Sequence, residues 1–308
     1  LPERLVDMVE RALFGRREVV ELAACAFFAG GHLLIEDVPG VGKTTLARAL
    51  ARASGGEFRR VQFTSDLLPA DITGVSVWNA GASEFRYVAG PVFGNVVLAD
   101  EINRAPPKTQ SALLEAMSEG QVSVDGEPRT LPSPFFVIAT QNVQEHHGTY
   151  PLPESQLDRF LMRVSMGYPG REDERRVVAR ADLADPVDAV EPVLAPSDWP
   201  ALISAVDAVR VDDDVLDYLM DLVIRTRGSD LLALGVSPRG GMALHRAARA
   251  RALLAGRDYV LVDDVKRLAE PVLAHRVVPA AGAVDGRGGR EIALSAVREI
   301  VGEVEIPL

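Results

Sequence analysis

The segment Leu33-Leu34-Ile35-Glu36-Asp37-Val38-Pro39-Gly40-Val41-Gly42-Lys43-Thr44-Thr45 constrains the fold most, because it runs a buried apolar strand into a glycine-rich turn and then a helix. Backbone N–H groups of such a turn, with the positive end of the following helix, point at anionic oxygens. Lys43 is spaced to reach the β- and γ-phosphates of a nucleotide and the Thr44 hydroxyl to reach Mg²⁺, so ATP or GTP is the first ligand to consider. Residues Asp37 to Thr45 are the expected binding loop. Its first position departs from the full G-x-x-x-x-G-K-[ST] pattern, which has glycine where this chain has Asp37. Aspartate is among the few side chains that tolerate positive φ, so the loop is still expected to form.

Around this motif, strands and helices alternate. The pattern predicts a helix over 16–29, a strand over 32–36, a helix over 44–53 and a strand over 58–63. Further apolar strands are expected at 95–101 and 135–139, with a helix from Pro106-Pro107 past Met117 between them. Two hairpins interrupt the alternation. One spans 71–88 and is expected to carry Trp78, Phe85 and Tyr87 outward; the other spans 121–130, where Asp125-Gly126 suits a tight turn. Such alternation predicts an α/β fold with an open, mostly parallel sheet whose ligands lie beyond the strands' C-terminal ends. Lys43, Asp100 and Asn142 all fall at that edge.

Composition changes after Tyr168-Pro169-Gly170. A short helix over 171–180 precedes a stretch from Ala181 to Pro200 that is acidic and proline-containing, without a basic residue; helical patterns follow over 211–226, 238–255 and 262–273. The expected organisation is a nucleotide-binding domain over 1–180, a linker over 181–200 and a smaller helical domain over 201–308, which accords with a 308-residue chain. A glycine-rich turn at 280–290 and a last apolar segment at 292–304 complete it.

Formal charge is −11, with 44 acidic residues against 33 Lys plus Arg, so the overall field opposes nonspecific nucleic-acid binding. No signal peptide or membrane-spanning run is read, which points to the cytoplasm. The lone Cys25 reads as a buried apolar filler. His146-His147 lacks the spaced partners of a metal site and reads as a polar loop.

Phosphoryl transfer to water needs a metal, an oriented water and positive charge near the γ-phosphate. Asp100 at its strand end is placed to hold Mg²⁺, and Glu101 to orient the attacking water or accept its proton. Asn142 could bond the same water or the γ-phosphate. Arg159, in Leu157-Asp158-Arg159-Phe160, is expected to project toward a neighbouring subunit's site, and Arg239, after Ser237-Pro238, to cross from the helical domain to the γ-phosphate.

The ordered set of motifs resembles the MoxR family of AAA+ ATPases. It comprises residues 36–44, Asp100-Glu101-Ile102-Asn103-Arg104-Ala105-Pro106-Pro107-Lys108-Thr109-Gln110, Leu113-Leu114-Glu115-Ala116-Met117, residues 153–160 and Ser237-Pro238-Arg239, and the likeness covers essentially the whole chain. The resemblance implies a five-stranded AAA+ core with a helical lid. Walker A would be Asp37 to Thr44, Walker B Val96 to Glu101, sensor 1 Asn142, the arginine finger Arg159 and sensor 2 Arg239. Phe14-Gly15 would begin the adenine pocket, with ATP and Mg²⁺ as cofactors. It also implies a homo-oligomer, a hexameric ring, whose two hairpins lie near the pore, and a protein substrate or adaptor such as a von Willebrand factor A domain protein. The rival readings are a magnesium-chelatase-like motor subunit, a nucleic-acid motor, and a nucleotide-gated scaffold in which Asp37 misplaces the phosphates.

Overall fold

The computed structural model describes residues 2–142, 148–179, 185–280 and 288–306. His146-His147, residues 181–184 of the linker and most of the glycine-rich turn at 280–290 lie outside the described residues. In chain order the core contains α1 (Pro2–Glu10), α2 (Arg17–Phe28), β1 (Leu33–Glu36), α3 (Lys43–Ala53), β2 (Phe58–Gln62), α4 (Pro69–Thr73), β3 (Gly74–Asn79) and β4 (Glu84–Ala89). It continues with β5 (Val96–Asp100), α5 (Pro107–Glu119), β6 (Gln121–Val124), β7 (Glu127–Thr130), β8 (Phe136–Gln141), α6 (Glu154–Leu157), β9 (Met162–Val164) and α7 (Arg171–Ala179). The C-terminal part holds α8 (Trp199–Ala208), α9 (Asp213–Arg227), β10 (Leu232–Leu234), α10 (Pro238–Leu254), α11 (Val262–Leu273), β11 (Val278–Pro279) and α12 (Gly289–Glu303).

Five strands form a wholly parallel sheet in the order β2-β5-β8-β1-β9. The period-two alternation of side chains divides the central strands between two cores. Leu33, Ile35, Val96, Leu98, Phe136 and Ile138 join the cluster built with α2, α3 and the C-terminal helices. Leu34, Val97, Ala99, Val137 and Ala139 face the opposite cluster with Leu113, Leu114 and Phe160. Burial on both faces explains why these strands read as unbroken apolar runs. The C-terminal part is helical apart from a short antiparallel pair, β10 with β11.

The acidic linker is docked rather than loose where it is described. Asp185 pairs with Arg48 and Asp188 with Arg52 of α3, the Val193 N–H bonds to the Ala53 carbonyl, and the buried Trp199 donates to the Ser54 carbonyl at 2.8 Å while packing edge-on against Phe27. Cys25 is buried as expected, its thiol pushed up to about 12 by burial.

Both hairpins form. The β3–β4 pair exposes Trp78 and Phe85, which stack edge to face at 5.1 Å, but Tyr87 departs from the expectation. It points back toward the second hairpin: its hydroxyl donates to the Thr73 carbonyl and the Arg129 guanidinium covers its ring at 3.8 Å. Phe85 and Tyr87, two apart on β4, share one face of the hairpin, and the difference in exposure comes from the capture of Tyr87 by Arg129 of β7. Ser76 and Asp125, 2.5 Å apart, make a second link between the hairpins.

His32 pins the start of β1. Its Nδ1 accepts the Val137 N–H at 3.1 Å and its Nε2 donates to the Met117 carbonyl at 3.1 Å, an arrangement that needs the neutral ring. Burial, opposed only in part by the Met117 carbonyl, pushes its pKa down from 6.5 to about 4. The unfolded chain therefore binds this proton first, and the stabilisation present above pH 6.5 is lost as pH falls toward about 4, a loss of about 3 kcal/mol. Equilibrium unfolding followed over this window is expected to show the decline, and His32→Asn to flatten its slope by about one proton.

Candidate nucleotide site

At the C-terminal edge of the sheet, the ends of β1, β5 and β8 surround a cavity of about 370 Å³ lined by Pro39, Gly40, Gly42, Lys43, Thr44, Thr45, Arg60, Asp100, Glu101 and Asn142. The loop takes its shape from glycine where only glycine is comfortable: φ is +83° at Gly40 and +99° at Gly42, which caps the N-terminus of α3. Helix α3 thus presents its unpaired N–H groups to the cavity, a site suited to phosphate oxygens.

Lys43 stands in the first turn of α3, and its Nζ donates to the Asp37 carbonyl at 2.8 Å. Burial lowers its pKa, while Asp37, Asp100 and Glu101 pull in the opposite direction; the net shift is downward. Asp37 itself does not take the positive φ expected of the first loop position. Its side chain turns away from the cavity and accepts hydrogen bonds from Val38, Ser165, Met166 and Gly167, so the loop forms without glycine there. The geometric reason for supposing that Asp37 misplaces the phosphates is thereby removed, and the residue belongs to the loop's support rather than its lining.

Two residues that local sequence reading does not single out complete the acidic edge. Thr140 of β8, fully buried, donates to Asp100 Oδ1 at 2.6 Å and accepts the Glu101 N–H at 2.8 Å. This bond holds Glu101 in a left-handed conformation, φ +57° and ψ +48°, that costs a non-glycine residue roughly 1–2 kcal/mol. Arg60 of β2 reaches across to Asp100 Oδ2 at 2.6 Å, so a cation already meets the carboxylate expected to hold a metal. The donor set fits a hard divalent ion shared with phosphate oxygens, since Asp100 and the Thr44 hydroxyl both supply oxygen. No cluster of three or more His, Cys, Asp or Glu able to bind a metal alone occurs among the described residues.

Neither Arg239, expected at the γ-phosphate, nor Arg159, expected to serve a neighbouring subunit, lines this cavity. Arg159 does not project; it donates to the Leu114 carbonyl at 2.5 Å and to Ser118 Oγ at 2.9 Å, folded back on α5 because that helix offers acceptors beside it. Arg239, in the first turn of α10, lies 3.8 Å from Asp158 Oδ2. The other oxygen of Asp158 accepts from the buried Arg276 at 2.7 Å, and Arg276 also bonds the carbonyls of Phe160 and Leu161. Asp158 thus joins α10 and the segment after α11 to the chain that bears Arg159. Phe14 and Gly15 are not among the residues lining the phosphate cavity; Gly15, at φ +67°, lies against α7, where a Cβ would fall 2.0 Å from Asp173 Oδ2.

Thr140→Val keeps the side-chain shape but leaves the Glu101 N–H unpaired, and is expected to lower stability by roughly 1–3 kcal/mol in denaturant titrations. An unchanged midpoint would mean that the junction is not held by this hydroxyl.

The family described as "ATPase family associated with various cellular activities (AAA)" matches residues 32–162, and the AAA lid domain matches residues 224–293. Chaperone MoxR1 of Mycobacterium tuberculosis is 41% identical over 97% of this chain and 81% of its own length. Uncharacterized protein YeaC of Bacillus subtilis is 50% identical over 99% of this chain and 94% of its own. A crystal structure from Cytophaga hutchinsonii, provisionally described as an ATPase, superposes with a TM-score of 0.89 at 35% identity, covering 99% of this chain and 94% of that one. With the phosphate loop, the acidic strand end and the helical lid in one fold, these likenesses show that the chain belongs to the MoxR family of AAA+ ATPases.

Proposed function

We propose that this ATPase couples hydrolysis of Mg²⁺-ATP to chaperone-like remodelling or maturation of a protein partner. The observation that carries the reading is the single cavity shared by Lys43, Thr44, Asp100, Glu101 and Asn142. The N–H groups of Gly40 to Thr45 bind the phosphates, and Lys43 exchanges the Asp37 carbonyl for β- and γ-phosphate oxygens. Thr44 and Asp100 would hold Mg²⁺, which when bound neutralises charge on those oxygens. Glu101, fixed through Thr140, orients the attacking water and takes its proton as the bond from the γ-phosphorus to the ADP oxygen breaks. Asn142 contributes a hydrogen bond from the neighbouring strand end.

Arg159 and Arg239 are both engaged elsewhere in the single chain, which supports a reading in which assembly and lid closure complete the site. Arg159 would leave α5 to serve the adjacent subunit, and Arg239 would leave Asp158 for the γ-phosphate. The proposed assembly is a hexameric ring in the cytoplasm, with residues 1–180 as core, 181–200 as link and 201–308 as lid. No helix among the described residues is long and apolar enough to cross a membrane. The linked hairpins would pass nucleotide state to the partner, for which a protein with a von Willebrand factor A domain is the candidate class. The relative named a chaperone is consistent with that role.

Phosphate release measured over a range of protein concentrations tests this reading. Turnover per subunit is expected to rise with concentration and to vanish in Lys43→Ala; activity that is independent of both would contradict it. Arg159→Ala is expected to cut turnover by about 10³-fold or more in an intact oligomer. Full activity per subunit in that variant would remove the trans-acting role.

A further inference from the structure

Asp37 gathers more hydrogen bonds than a loop residue needs for its own turn. Its Oδ1 accepts the Val38 N–H at 2.8 Å, and its Oδ2 accepts from Ser165 Oγ at 3.0 Å, the Met166 N–H at 2.5 Å and the Gly167 N–H at 2.6 Å. The main chain of the same residue gives its N–H to the Gln141 carbonyl and its carbonyl to Lys43. Only 7% of Asp37 is exposed; burial opposes its charge, but the donors of Gly167, Val38, Ser165 and Met166 outweigh burial and hold the carboxyl below the usual range.

The strap at 165–167, directly after β9, is gripped a second time. Arg16, directly after Phe14-Gly15, donates to the carbonyls of Met166 and Gly167. Between these grips, the Met166 methyl and Leu13 Cδ2 lie 3.8 Å and 3.7 Å from where a Cβ on Gly42 would be. Both side chains are buried and neither lines the phosphate cavity. They form a buried apolar wall beside the last loop glycine.

We infer that Asp37 is a positioning residue for nucleotide binding: its carboxylate, standing where the phosphate-loop pattern has glycine, locks the strap at 165–167 to the loop and holds Met166 as a wall of the nucleoside pocket. The inference rests on the assignment of ATP to the cavity. It has an unusual consequence, since restoring the pattern with Asp37→Gly should weaken binding. The loop φ does not require glycine at this position, so the substitution removes the clamp and gains no needed conformation.

The test is ATP binding by calorimetry with steady-state turnover, on the full chain with Mg²⁺. Asp37→Gly is expected to raise Kd and KM for ATP by about tenfold or more. Its kcat is expected to stay within about threefold of the parent, because Asp100, Glu101 and Thr140 are untouched. Ser165→Ala, which removes one donor and leaves the backbone alone, is expected to raise KM by about threefold with the same kcat, and serves if Asp37→Gly fails to fold. Binding by Asp37→Gly as tight as or tighter than the parent, or an unchanged KM in Ser165→Ala, would overturn the inference alone. A parent chain that binds no ATP would overturn the assignment on which it rests, and the inference with it.

Discussion

Three parallel strands ending at the same edge are the constraint on which the rest of this molecule depends. Because β1, β5 and β8 are neighbours and run the same way, the phosphate loop, the Asp100-Glu101 pair and Asn142 emerge side by side. The two apolar faces of these strands bury into separate cores, so the edge is held rigidly while its polar ends remain open. The bonds from Thr140 to Asp100 and Glu101 then tie one strand end to the next. Chemistry at this edge is thus a property of sheet topology first and of individual side chains second.

The arginines follow a different logic. Arg60 already neutralises Asp100, whereas Arg159 and Arg239 are held by α5 and by Asp158. In this state the chain holds these last two arginines on its own acceptors, outside the cavity that Lys43 and Arg60 line. Asp158, shared between Arg239 and the buried Arg276, places the lid and the Arg159 segment in one network. Movement of either partner changes the charge balance at the other.

Much of this arrangement was legible in the sequence, for local reasons. The run from Leu33 to Thr45, the apolar strand ending in Asp100-Glu101 and the Asp125-Gly126 turn each carry their structure in adjacent residues. The three-residue β9 did not, since Arg163 interrupts its apolar pattern and its place depends on pairing with β1. Arg60 and Thr140 escaped notice because their partner lies on another strand, and strand order is not written locally. Tyr87 was misjudged in direction for the same reason, and the hold of α5 on Arg159 went unseen: the β7 strand and α5 offered partners that a linear reading does not see. The role of Asp37 depends on N–H groups almost 130 residues away.

A crystal structure of the chain with Mg²⁺ and a non-hydrolysable ATP analogue tests the central claim most directly. The account predicts the triphosphate against the N–H groups of Gly40 to Thr45, with Lys43 moved off the Asp37 carbonyl and the ion between Thr44 and Asp100. An analogue bound elsewhere, such as the separate cavity lined by Asp158, Ser237 and Arg276, with Lys43 still on Asp37, would contradict it.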